Sequence, residues 1–308
     1  MSEAMMQAIR IHDYGGLEAL VLDQAPRPEP QPSQVLIRMK AAGVNPSDSA
    51  ARDGAYKQLM PLQFPWTPGL EGAGVVESVG AEVKSFIAGQ EVYGFLTGGY
   101  AQYAAANEKD LQLKPQGLTM EQAAASPMGA AMAWAAVIET ARVESGQAVL
   151  IHGAAGGVGA FATQLAHWKQ AFVIGVSSKE NLKFVRSLGA QLAVDYNESP
   201  FEAVIQDVDV VVDTVGGNIP DRSWQVMRQG GILVTVAAIS EDAGKALDLR
   251  AASIMRPTFG DLTQISELLE SRALVPTIRE VFPLSEARRA QALSETGHGR
   301  GRIILSIP

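Results

Sequence analysis

None of the 308 residues is cysteine. That excludes disulfides, thiolate catalysis and every cysteine-ligated metal centre, and it leaves the redox compartment open. There is no lysine- or arginine-rich run, and the formal net charge is −8, so no nucleic-acid partner is expected. No apolar stretch reaches the ~18 residues that a membrane span needs. The longest, Ala123 to Ile138, is interrupted by Ser126, Pro127 and Gly129 and stops at Glu139. No basic start followed by an apolar core opens the chain, so neither a secretory signal nor a membrane partner is expected, and a cytoplasmic protein is the simplest reading. Histidines are few, and His12, His152, His167 and His298 are too scattered to form a metal site by spacing.

What is present is ordinary for a folded enzyme-sized chain. Hydrophobic residues make up 47% and charged residues 19%, too apolar for disorder, and the length suggests two domains. Up to about Ser126 the texture is short strands and turns, with candidates at Val35–Lys40, Gly69–Val79 and Glu91–Phe95. Prolines cluster at 26, 28, 30 and 32 and again at 61, 65 and 68, which suits a β-rich, partly barrel-like domain. From Pro127 to Pro257 apolar runs alternate with helical patterns: Ala148–His152, a helix over 158–169, Phe172–Val176, a helix over 181–188, Val208–Asp213, a polar helix over 221–228, and Gly231–Val236. Continuous Val/Ile/Leu runs in this rhythm predict a doubly wound parallel sheet. The tail carries a helix over 261–272, a second helix with Ser285 as N-cap, and a closing strand, Arg302–Ile307, that can return to the first sheet. Residues 1–126 and 258–308 therefore read as one domain, and 127–257 as the other.

The run Gly153-Ala-Ala-Gly156-Gly157-Val158-Gly159, between a strand and a helix, is a variant of the dinucleotide fingerprint with Ala154 in the first glycine position. Bare backbone at Gly156 and Gly157 lets N–H groups approach a pyrophosphate. Gly159 lets the helix pack on the strand and aim its N-terminus at the anion. The second strand ends in Ser177-Ser178-Lys179, where a carboxylate would bind the ribose hydroxyl of NAD. Two hydroxyls and an ammonium suit the 2′-phosphate of NADPH; they also make an ordinary helix cap. Glu180 is expected to point away.

With Ala41-Ala-Gly-Val-Asn45-Pro-Ser-Asp48, Pro68-Gly-Leu-Glu71-Gly-Ala-Gly, Val149–Gly159, Leu188-Gly-Ala and Glu295-Thr-Gly-His-Gly-Arg-Gly301-Arg-Ile in hand, the chain resembles the zinc-independent quinone oxidoreductase and enone reductase branch of the medium-chain dehydrogenase/reductase superfamily. The resemblance implies a GroES-like first domain completed by the C-terminal tail, a Rossmann domain, NADPH in the cleft between them, and a dimer or tetramer. Strand 231–236 would border the edge that pairs with a second copy. In zinc-dependent relatives a cysteine stands near Asn45 and a histidine where this chain has Leu70. No metal is therefore expected.

Without a Lewis acid, simple carbonyls are hard to polarise. A quinone or an α,β-unsaturated carbonyl needs only a hydrogen bond and a proton once it has taken a hydride. By resemblance, Asn45 lies beside the nicotinamide ribose and substrate oxygen, or else it is a turn-former before Pro46. Asp48 matches a nearby position or caps the following helix. Tyr56 covers the cleft as a proton donor or is a loop aromatic. Tyr196 packs near the 2′-phosphate or adenine. Thr214, Val215 and Gly216 line the cofactor, and Val236, Ala237 and Ala238 end the strand facing the nicotinamide. Met128 and Met132 stand where relatives often have threonines, one of which touches the nicotinamide. This leaves a second reading, a non-catalytic NADPH-binding protein with a structural, sensing or RNA-associated role.

Overall fold

In a computed structural model, which describes residues 4–237, 239, 244–245, 248–254 and 262–308, the Pro- and Gly-rich first part forms β1 (Met5–Arg10), β2 (Val21–Pro26), β3 (Gln34–Val44), β4 (Glu71–Val79), β5 (Glu91–Phe95), β6 (Tyr103–Asn107) and β7 (Leu111–Leu113). Helix α1 (Pro46–Arg52) follows β3, and α2 (Met120–Ala124) and α3 (Pro127–Trp134) follow β7. Pro46 and Pro127 each occupy a first helical turn, where proline's missing N–H costs nothing. β1 and β2 form a two-stranded sheet apart from the larger sheet of β3–β7, and one core packs Ile9 and Leu20 with Val35, Ile37, Val92 and Leu305.

The alternating middle forms β8 (Ala148–His152), α4 (Gly159–Trp168), β9 (Phe172–Ser177), α5 (Leu182–Ser187), β10 (Leu192–Asp195), β11 (Val208–Asp213), α6 (Ile219–Ser223), β12 (Met227–Thr235) and β13 (Arg250–Ser253). These strands are parallel, in the order β10-β9-β8-β11-β12-β13. The order reverses between β8 and β11, and the crevice outside their carboxyl ends is where such sheets bind ligands. Both faces are covered. Val149 and Ile151 pack with Phe161 and Leu165 of α4, whereas Leu150 joins Phe201 and Val226 on the other side. That double burial is why the strands read as unbroken apolar runs.

The chain ends in α7 (Leu262–Glu270), β14 (Ile278–Pro283), α8 (Ala287–Glu295) and β15 (Arg302–Ser306). β15 pairs antiparallel with β3 and parallel with β14, so the tail completes the first sheet: Ile303 faces Val44 and Ser306 faces Ala41.

Four expectations need correction. The polar helix expected over 221–228 is α6 plus a short turn, Trp224–Val226. Pro220 fixes an earlier start, and Met227 is drawn into register with Val208. Ser285 caps no helix, because Leu284–Glu286 form a tight turn after Pro283 and Glu286 takes the cap position. Strand 231–236 is not at an edge, because β13 pairs along β12. Of the helix expected over 261–272, α7 covers Leu262–Glu270 and Ser271–Arg272 form a turn, while Asp261 lies outside the described residues.

Candidate active site at the glycine loop

The loop after β8 is shaped by close backbone packing. The N–H of Gly156 donates to the Gly153 carbonyl (2.8 Å), and Gly153 has a left-handed φ of +69°. A methyl group on Gly159 would collide with that same carbonyl oxygen, whereas one on Gly156 would meet only it, at 3.2 Å. Gly159 is therefore needed for the fold. Gly156 leaves bare backbone just before the N-terminus of α4.

Around this loop the strand ends gather the other expected residues. Asp195 is in register with Ser177, and the Tyr196 N–H donates to the Ser177 carbonyl (3.3 Å). The Ser177–Lys179 turn and Tyr196, which is 49% exposed, thus share one end of the sheet. Lys179 is exposed. Glu180 does not point away: Ser178 Oγ donates to its carboxylate (2.7 Å) and accepts from Asn181 Nδ2 (3.0 Å). Ser178 stands at the cap position of the short turn Lys179–Asn181, but its hydroxyl bonds side chains and no backbone N–H; it holds the Glu180 carboxyl below the usual range. On the other side of the loop, Thr214 Oγ1 donates to the His152 carbonyl (2.8 Å). Buried Asp213 accepts from the N–H groups of Val215 (2.9 Å) and Gly216 (3.1 Å) and from Thr235 Oγ1 (2.7 Å). The N–H of Val236 donates to the Asp213 carbonyl (3.1 Å), and that of Ala237 to Thr235 Oγ1 (3.0 Å). Asp213 thereby shapes the turns bearing Val215, Val236 and Ala237. Ala238 lies outside the described residues.

The first domain contributes a buried polar cluster. Asn45 precedes α1, and its Nδ2 donates to Glu71 Oε1 (2.9 Å). Arg302, from β15, donates through Nη2 to Asn45 Oδ1 (2.8 Å) and ion-pairs with Glu71. Glu71 Oε2 accepts from the backbone N–H of Met128 (2.7 Å). Asp48 accepts from the N–H of Asn45 (3.0 Å), the N–H of Gly69 (3.2 Å) and the Tyr100 hydroxyl (3.1 Å). Burial nevertheless pushes the Asp48 carboxyl from 3.8 to about 6, against the pull of those bonds. Arg302 also touches the glycine loop. A methyl group on Gly157 would meet its Cδ at 2.7 Å, and the N–H of Gly301 donates to the Ala155 carbonyl (2.8 Å).

Tyr56 is not brought into this cluster. It is half-buried on the turn after α1, and among the described residues its phenol makes no hydrogen bond. Met132 is buried in the main core, and Met128 packs against it. Sequence reasoning passed over Glu71 and Arg302 as site residues. The Gly-Leu-Glu and Gly-Arg-Ile motifs held the signal: an acid kept beside a position that has lost its ligand, and a base opening a buried strand. Among the described residues no three His, Asp or Glu side chains group as a metal site, and no helix is long and apolar enough to cross a membrane.

Family models match in two places: the alcohol dehydrogenase GroES-like domain over residues 31–116 and a zinc-binding dehydrogenase family over residues 188–305. The chain is 33% identical over 317 residues to an NADPH-dependent alkenal/one oxidoreductase of Arabidopsis thaliana, covering 97% of this chain and 79% of that protein. It is 32% identical over 323 residues to a quinone oxidoreductase of Mus musculus, covering 97% and 96%. The solved quinone oxidoreductase from Coxiella burnetii superposes with a TM-score of 0.91 at 32% identity, over 99% of this chain and 100% of that one.

Proposed function

Because the chain belongs to the quinone oxidoreductase and enone reductase branch of the medium-chain dehydrogenase/reductase superfamily, we propose that it is an NADPH-dependent reductase of quinones and α,β-unsaturated carbonyls that works without zinc. The observation that carries this reading is the meeting of Asn45 and the glycine loop through Arg302, which touches both. The residues fit the cofactor. Gly156 leaves the loop face bare, and the buried Nε of Arg302 has no partner among the described residues.

When bound, the cofactor supplies a hydride for the β-carbon of an enone or for a quinone ring. The glycine loop and the N-terminus of α4 bind its pyrophosphate. Ser177, Ser178, Lys179 and Tyr196 hold the 2′-phosphate and adenine end. Thr214, Val215, Val236 and Ala237 line the nicotinamide end. Asn45 donates an amide N–H to the acceptor oxygen as negative charge develops there. Asp48 fixes the backbone of Asn45; the proton-donor role expected of Tyr56 would need the turn after α1 to bring it to the cluster. The domains run over 1–126 with 258–308, and over 127–257. The resemblance supports a homo-oligomer, a dimer or tetramer.

The test is reduced-cofactor oxidation with 2-cyclohexenone, an alkenal and 1,4-benzoquinone against a saturated ketone, with NADPH and NADH in parallel. Turnover of the conjugated acceptors alone, with NADPH preferred, is expected. NADH preference would remove the 2′-phosphate reading and leave the reductase. Tight NADPH binding with no turnover of any acceptor would favour the non-catalytic role.

A further inference from the structure

Asn45 has two ways to sit, because its amide oxygen and nitrogen occupy nearly the same shape. Its neighbours choose between them by chemistry. Arg302 can only donate hydrogen bonds, and an ionised Glu71 can only accept them. The side chain must therefore turn Oδ1 to Arg302 Nη2 (2.8 Å) and Nδ2 to Glu71 Oε1 (2.9 Å). One Nδ2 hydrogen is then committed to Glu71. The other has no acceptor among the described residues.

The pair that makes this choice is itself held in place. Glu71 is buried, and its second oxygen is fixed by the N–H of Met128 (2.7 Å). Arg302 is buried between Asn45 and the backbone of Gly157. We propose that Glu71 and Arg302 are positioning residues that lock the Asn45 amide with one N–H presented to the acceptor oxygen. Arg302 also ties that donor to the cofactor loop, so donor and hydride source are set by one rigid connection. The inference rests on the reductase reading for its chemistry, but the lock itself is a property of the free protein.

Two experiments separate the lock from the reading. The first is a double-mutant cycle on 2-cyclohexenone reduction with Asn45→Ala, Glu71→Gln and the double variant, each checked for NADPH binding by fluorescence. Asn45→Ala is expected to lower kcat by about 10²-fold, the scale for loss of one oxyanion donor. Glu71→Gln, whose neutral amide no longer dictates the Asn45 orientation, is expected to lower kcat about tenfold with little change in KM. In the Asn45→Ala background it should add nothing, because residues acting through one another are non-additive. A full tenfold loss in that background, or a loss seen in KM alone, overturns the proposal. Glu71→Gln leaves a buried Arg302 charge unpaired. If it fails to fold, Glu71→Asp, which keeps the charge and withdraws the carboxylate from Asn45, serves in the same cycle.

The second experiment needs no turnover. In ¹⁵N side-chain amide spectra of the free protein, the Asn45 pair, identified by its loss in Asn45→Ala, should be sharp and slow to exchange with solvent. In the Glu71 variant it should broaden and exchange faster. An Asn45 pair unchanged by the Glu71 substitution overturns the lock. Absent turnover with an intact lock would fail the reductase reading alone.

Discussion

Asp48 and His152 are both sealed from solvent, and they respond to pH in opposite directions. Burial raises the Asp48 carboxyl from 3.8 to about 6. The folded state then binds more protons than the unfolded chain between those values, so Asp48's contribution to stability falls as pH rises through about 4 to 6. The loss is about 3 kcal/mol at 1.36 kcal/mol per unit. Burial lowers the His152 imidazole from 6.5 to about 4. There the unfolded chain binds more protons, and stability is lost as pH falls from about 6.5 to 4, by a similar amount. The two slopes oppose each other over most of one window. Asp48→Asn should unmask the histidine slope, so that the urea midpoint climbs with pH through this window more steeply than in the parent. His152→Gln should do the reverse. Parallel profiles for all three proteins would contradict both assignments. At this scale the sequence singled out Asn45, Asp48 and the Ser177–Lys179 turn as candidates, because each lies in a short local motif. It did not disclose that Glu71 and Arg302 converge on Asn45. They are 231 positions apart in the chain, and only the return of β15 to β3 joins them.

Among the elements, the β8–loop–α4 unit carries the cofactor reading, and its glycines divide the labour. Gly159→Ala places a methyl group on the Gly153 carbonyl. It should destabilise the protein by about 1–3 kcal/mol, the usual range for overpacking. Gly156→Ala meets only that carbonyl, at 3.2 Å. It should leave the melting temperature nearly unchanged while weakening NADPH binding on the order of tenfold or more, about 1.4 kcal/mol. Calorimetry beside fluorescence titration separates the two effects. Equal losses of stability and binding in both variants would contradict the division. The parallel strands were legible because double burial makes them uninterrupted apolar runs. The short strands Leu192–Asp195 and Arg250–Ser253 were not, because four residues are too few to show a period. The start of α8 was missed because a serine at position 285 looks like a cap wherever it precedes a helical pattern. The tight turn set by Pro283 and anchored by buried Leu284 moved the true cap one residue on.

At the scale of the whole molecule, the C-terminal strand makes one machine of two sheets. β15 buries Ile303 and Leu305 in the core on one face of the first sheet and Ile304 in the main core on the other. The residue before it holds the Ala155 carbonyl of the glycine loop, and its first residue, Arg302, reaches Asn45 and Glu71. The return of this tail could be anticipated from a strand-like ending, but its contact with the loop could not, because that depends on how the two sheets face each other. The arrangement puts the Asn45 amide beside Arg302 and the glycine loop, and a hydrogen-bond donor at that place suits the proposed conjugate reduction. The most direct test is reduction of 2-cyclohexenone with NADPH deuterated at the transferable position, followed by NMR of the product. The expected result is cyclohexanone with deuterium at the β-carbon. Deuterium on a carbinol carbon, in an allylic alcohol, would mean direct carbonyl reduction and would contradict the account.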